Sequence, residues 1–142
     1  LLTLTQSLLN EIEAHGVASY PYEGCGLLLG ESTGEQNTVQ AIFPVENRWE
    51  VEDEKRERFY IAAEDMLRAE MAAMAAGREV IGVFHSHPDH EPVASPRDLA
   101  WAAWVGYSYL ITAVRQARPG ESRSWQLRPD RTGFDEEEIV VQ

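Results

Sequence analysis

The stretch "EVIGVFHSHPDHEPVASPRDLAWAAWVGYSYLITAV", residues 79–114, decides how this chain is read. It opens on an apolar run, "EVIGVF", and closes on another, "YSYLITAV". Between them lie three histidines (His85, His87, His90), several carboxylates and three prolines (Pro88, Pro92, Pro96). The apolar runs are short, rich in β-branched and aromatic residues, and read as buried strands. "SPRDLAWAAWVG" reads as a helix, with Ser95 as N-cap, Pro96 in the first turn and Asp98 at the third position. Strand, polar loop, helix and strand in that order make an α/β unit.

Working outward, "LTQSLLNEIEAHGVAS" has Leu4, Leu8, Leu9, Ile12 and Val17 at near-helical spacing. Thr3 or Thr5 could cap this helix and Gly16 could end it. "CGLLLGES" and "NTVQAIFPVEN" read as strands joined by a hairpin turn at "STGEQN". "RWEVEDEKRER" is charged enough to be an exposed loop. "FYIAAEDMLRAEMAAMAAG" reads as a brief strand and an alanine-rich helix ending at Gly77, with Met66, Leu67, Met71 and Met74 in the core. "RSWQLR" alternates like a strand. An acidic tail, about 134–142, ends in apolar residues that add an edge strand. Hairpins among alternating strands and helices predict one α/β domain over 1–142, built on a mixed sheet flanked by helices.

Bulk properties narrow the function. Twelve basic residues stand against 24 acidic ones, a formal net charge of −12. That argues against nucleic-acid binding, which needs a cationic surface. No apolar run is long enough to cross a bilayer. Cys25 is the single cysteine, so neither an internal disulfide nor a multi-thiolate zinc site is available, and a cytoplasmic location is expected. Its place at the head of an apolar run suits a small buried residue better than a nucleophile. His15 is expected on the surface and His90 in the loop.

His85 and His87 stand two apart at a strand end, so both point to one face. Two imidazoles placed so can bind one ion. Ser95 and Asp98 are explained by helix capping alone, yet a carboxylate held at a helix start also has a fixed direction. Two histidines and one carboxylate leave one coordination place open, the catalytic zinc pattern. A water there has its pKa lowered to about 7. Such a site needs a further carboxylate to manage protons. Spacing does not choose it among 24 acidic residues.

At these residues the chain resembles the JAMM motif of the MPN-domain zinc metalloprotease family: His-x-His, seven residues, Ser, two residues, Asp. His85, His87, Ser95 and Asp98 match it in turn. The family also carries an upstream glutamate before a Cys-Gly and an apolar strand, and "PYEGCGLLLG" nominates Glu23. The resemblance runs from the first helix through "YSYLITAV". It implies a cytidine-deaminase-like fold, and zinc (Zn2+) held by His85, His87 and Asp98. It implies Glu23 as the carrier of the water's proton and Ser95 as donor to the oxyanion. It implies as substrate an amide at the flexible C-terminal tail of a ubiquitin-like or sulfur-carrier protein. A non-catalytic scaffold of the same family is the alternative, although such members lack parts of the motif. RadC-type proteins resemble the loop but typically carry Asn where this chain has Ser86. No His-Glu-x-x-His helix is present, and no Cys-x-x-Cys that would make this a nucleobase deaminase.

Overall fold

The computed structural model describes residues 1–142. Its elements are β1 (Leu2–Leu4), α1 (Gln6–Ser19), β2 (Cys25–Ser32), β3 (Asn37–Val45), a 3-10 turn (Glu52–Arg56), α2 (Ala63–Ala75) and β4 (Glu79–Pro88). They continue with α3 (Pro96–Trp101), β5 (Ser108–Arg115), β6 (Arg118–Leu127), β7 (Phe134–Glu137) and β8 (Ile139–Val141). All eight strands join one sheet, ordered β7-β6-β5-β4-β2-β3-β1-β8. The sheet is mixed: β4 runs parallel to β5, and β1 parallel to β3 and β8, while the remaining pairs are antiparallel.

Alternation along the strands sends successive side chains to opposite faces. Cys25, Leu27, Val83 and Tyr109 enter one core with Ala69 and Ala73 of α2. Leu28, Phe84 and Leu110 enter the other with Ile12 of α1. One helix therefore covers each face of the sheet.

Helix α1 starts where Thr5 accepts a hydrogen bond from the Leu8 N–H, 3.2 Å. Gly16 does not end it: the helix continues to Ser19, and Pro21 follows soon after. Gly16 faces the sheet instead. A Cβ there would lie 3.1 Å from both Ser86 Cβ and Val114 Cγ2, so the missing side chain lets α1 sit close to β4 and β5. His15, expected at the surface, is half-buried, with its ring edge-on to Phe84 at 5.8 Å.

Helix α2 corrects a second expectation. Leu67, Met71 and Met74 are 57%, 63% and 78% exposed, not core. The buried stripe is Asp65, Ala69 and Ala73, spaced by four. Small alanines let the helix lie close to the sheet, and Asp65 is tied down by Arg48 (2.7 Å) and Arg68 (2.6 Å). That anchor sets the rotation of α2 and turns the larger apolar residues outward; only Met66 packs partly against the core. Phe59 and Ile61 are buried without forming the expected strand.

Helix α3 is shorter than its pattern, stopping at Trp101. The Tyr109 hydroxyl accepts from the Trp104 N–H (3.1 Å) and donates to its carbonyl (3.0 Å), holding that residue out of the helix. Strand β6 is longer than expected, beginning at Arg118 after a turn in which Gln116 and Ala117 have φ of 51° and 62°. The acidic end of the chain supplies both sheet edges. β7 and β8 lie at opposite ends of the strand order yet are separated by Glu138 alone, so the sheet curls until its edges meet.

Candidate active site

Three elements converge at one end of the sheet. In the β2–β4 pair, Cys25 stands opposite His85. Ser86 N–H donates to Gly24 O (3.0 Å) and Gly24 N–H donates to Ser86 Oγ (2.8 Å), carrying the pairing one residue further. Cys25, His85 and His87 share one face by alternation, and Glu23, just before the strand, lines the same cleft as His87. Ser86 faces α1 on the other side, as alternation requires.

The loop after β4 brings α3 back over that face. Ser95 accepts from the Asp98 N–H (3.1 Å), and the Asp98 carboxylate accepts from the Ser95 N–H (2.8 Å). This reciprocal capping box aims Asp98. Asp98 Oδ1 lies 3.2 Å from His85 Nε2, and Oδ2 lies 3.3 Å from His87 Nε2. The two Nε2 atoms are 3.1 Å apart. Capping and convergence are thus one arrangement: the cap fixes the carboxylate that meets the histidines.

The chemistry of these donors fits a cation. His87 Nδ1 is 2.7 Å from the carbonyl oxygen of Glu91, which can only accept. Nδ1 therefore carries the proton and Nε2 presents a lone pair. Burial lowers the pKa of His85 against the pull of Asp98, which favours a neutral ring. Burial pushes the Asp98 carboxyl up, but the His85 and His87 rings and the Ser95 N–H outweigh it and hold Asp98 well below the usual carboxylate range. The two Nε2 atoms and the Asp98 carboxylate thus surround one point where a positive charge, a proton shared with the carboxylate or a bound cation, is stabilised. Their separations match a tetrahedral zinc, whose ligands at about 2.0–2.1 Å lie about 3.3–3.4 Å from one another. The three donor groups lie within 4.8 Å of one another.

Glu23 is 5% exposed, and its Oε1 has no hydrogen-bond partner. Burial raises its pKa well above the ordinary value; Asp98 adds to the rise, Arg97 opposes it and Glu57 adds again. Its backbone is tied to the segment before α2: Glu23 N–H donates to Lys55 O (2.7 Å), and Asn47 Nδ2 donates to Glu23 O (3.0 Å). A buried carboxyl with an unused oxygen beside a polar cleft is suited to taking and returning a proton. The cleft, about 480 Å³, is lined by Glu23, Glu57, His87, His90, Ser95 and Arg97 among others. His90 lines it as well, and its backbone N–H donates to His87 O at 3.5 Å.

Some neighbours were not legible in the sequence. Phe59 stacks on His85, centroids 4.5 Å apart, and Trp101 lies 5.0 Å from Phe59. Trp49, Phe59 and Trp101 line a smaller, more apolar pocket, about 220 Å³, on the Asp98 side. The two clefts share Glu57 and Arg97, whose ion pair (2.9 Å) stands between them. Nothing in the spacing of the sequence marks these residues, because Trp49, the Glu57–Phe59 segment and helix α3 meet only in the folded chain.

Comparison with known proteins agrees with this geometry. Residues 5–128 match the model of the prokaryotic homologs of the JAB domain. A desampylase of Haloferax volcanii is 36% identical over 105 residues, covering 74% of this chain and 72% of the relative. A probable TtuB-protein conjugate cleaving protease of Thermus thermophilus is 29% identical over 104 residues, covering 73% of this chain and 65% of the relative. The solution structure of a protein from Desulfitobacterium hafniense superimposes with a TM-score of 0.86 at 31% identity, over 100% of this chain and 93% of that one. The chain belongs to the prokaryotic JAB-domain branch of the JAMM/MPN family.

Proposed function

We propose that this protein is a zinc-dependent hydrolase that cleaves an amide or isopeptide bond at the C-terminal tail of a ubiquitin-like or sulfur-carrier protein. The convergence of His85, His87 and Asp98 beside a buried, partner-free Glu23 carries the reading. The relatives named for desampylation and for cleaving a TtuB–protein conjugate support the substrate class.

His85, His87 and Asp98 would hold the ion. A zinc ion there would acidify a water and polarise the scissile carbonyl. Glu23 takes the water's proton and returns it to the departing nitrogen. Water is added across the C–N bond, releasing a carboxylate and an amine. Ser95 accepts from a backbone N–H through its oxygen, which leaves its own proton free for the developing oxyanion. Glu23 lines the larger, polar cleft, so the leaving amine occupies that side. The acyl tail then crosses towards Trp49, Phe59 and Trp101.

The test combines metal content with turnover. Wild type and His87→Ala are purified without added metal or chelator and assayed by elemental analysis. Both are then given a ubiquitin-like protein joined through its C-terminal glycine to a reporter amine. About one zinc per chain and cleavage at that glycine are expected in wild type, with both lost in the variant. A wild type that holds zinc but leaves every tail conjugate intact would sink the substrate assignment.

A further inference from the structure

The metal loop is tethered at two adjacent carbonyls. From Glu91 to Ala94 the chain makes two hydrogen bonds. Glu91 O accepts from His87 Nδ1 at 2.7 Å, and Pro92 O accepts from the Trp125 indole Nε1–H at 3.0 Å. Pro92 is buried. The first bond sets the tautomer and ring direction of His87. The second is the loop's only hydrogen bond, over these four residues, to something other than the histidine it orients. Asp89, two residues earlier, is held by Val114 O, the Tyr20 hydroxyl and the Gln116 N–H, so the Trp125 bond fixes the loop on the other side of Glu91.

Trp125 is well suited to anchor that loop. It sits within β6, paired with Tyr109 on one side and Glu136 on the other. The Arg123 guanidinium lies over its ring at 5.3 Å, and Arg123 is itself held by Glu136 at 2.6 and 2.8 Å. The indole is therefore fixed by the sheet, two strands away from the histidines.

We propose that Trp125 is a positioning residue for the metal centre, acting through the Pro92 and Glu91 carbonyls to hold His87 in its ligating orientation. The inference rests on reading His85, His87 and Asp98 as metal ligands. Partners that orient a ligating histidine contribute about 10–100-fold to metal affinity, and Trp125 acts one bond further out, so its share is about tenfold.

The test is Trp125→Phe, which keeps an aromatic ring and removes the N–H. Zinc affinity is measured by chelator competition, and the visible spectrum of the cobalt(II)-loaded protein is recorded beside wild type. Melting of the metal-free proteins separates packing loss from the metal effect. About tenfold weaker zinc binding with a changed cobalt spectrum is expected, whatever the metal-free melting point does. Unchanged affinity and spectrum in a folded variant would overturn the proposal and leave the metal centre standing. Should the variant not fold, the wild type decides: zinc loading is expected to slow hydrogen exchange of the Trp125 indole N–H, because the coupling is reciprocal. An indole whose exchange and chemical shift ignore zinc overturns the proposal. A wild type that binds no zinc overturns the ligand assignment itself, and this proposal with it.

Discussion

Cys25 lies directly opposite His85 in the pairing of β2 with β4. That register brings Glu23, two residues before Cys25 and 62 positions upstream of His85, to the cleft that His87 lines. It also seals the thiol beneath the site. Burial pushes the Cys25 thiol up to about 12, with Glu23 and Asp65 adding to the rise. Native protein at pH 8 should resist iodoacetamide, and Cys25→Ala should keep hydrolysis within about threefold, since a thiol without thiolate character is no nucleophile. A folded Cys25→Ala protein with no turnover would reopen the cysteine mechanism.

Glu23→Gln should separate metal binding from chemistry. The amide keeps the shape but cannot take a proton, so zinc content should stay at wild-type level while kcat falls by about 10²–10⁴. Elemental analysis and single-turnover rates on the same preparation check this. Full activity in Glu23→Gln would mean that another group carries the proton.

Ser95 serves as helix cap and as candidate oxyanion donor, and two substitutions distinguish the roles. Ser95→Ala loses both, with about 1 kcal/mol of stability removed. Ser95→Gly gives up only a few tenths of a kcal/mol as a cap. Both should slow kcat by about 10²–10³ if the hydroxyl meets the oxyanion. Comparing melting curves with kcat decides it: a Ser95→Gly enzyme turning over at the wild-type rate would make Ser95 a cap and nothing more.

Gly82 leads β4 towards the histidines, and its Cα hydrogen points at the neighbouring strand. A Cβ there would collide with the Ser108 carbonyl oxygen of β5 and touch Leu28 Cδ1 at 3.0 Å. Backbone does not yield as a side chain does, so Gly82→Ala should cost about 1–3 kcal/mol. Urea unfolding of the metal-free protein measures it, and an unchanged midpoint would show that β4 and β5 can spread apart.

Asp65 ties α2 to the segment before it through Arg48, and Arg68, one turn along the same helix, holds its other oxygen. Hydrogen bonds from Arg48 and then Arg68 pull its pKa down. The folded value lies below the unfolded one, so this contribution is present above the unfolded carboxylate pKa of about 3.9 and is lost as pH falls through the depressed value. Asp65→Asn should lower stability at neutral pH and approach wild type under acid. Denaturant midpoints from pH 7 down to pH 2 check the sign; a constant gap between the two proteins would show that the ion pairs contribute nothing.

Much of the fold was legible because local patterns agreed with it. Six of the eight strands, all but β1 and β7, and the three helices lie where periodicity and caps place them, though with altered ends. Two of the readings that differed share one cause. Gly16 and the α2 methionines were read from residue type, whereas their roles depend on which face of a helix meets the sheet. For α2 the deciding residue is Asp65, a buried charge that its own window does not explain, because Arg48 comes from a separate loop.

The sequence by itself determined the α/β order, the single shared face of His85 and His87, and the capped helix start that fixes Asp98. These follow from spacings of two and three residues, which strand alternation and helix capping convert directly into direction. Only the tertiary structure decided that Glu23 and His87 line one cleft, that Phe59 lies under His85, and that Trp125 holds the Pro92 carbonyl. Those contacts join segments tens of residues apart. Their geometry is set by strand register and by the packing of helices on the curled sheet, which no local spacing encodes.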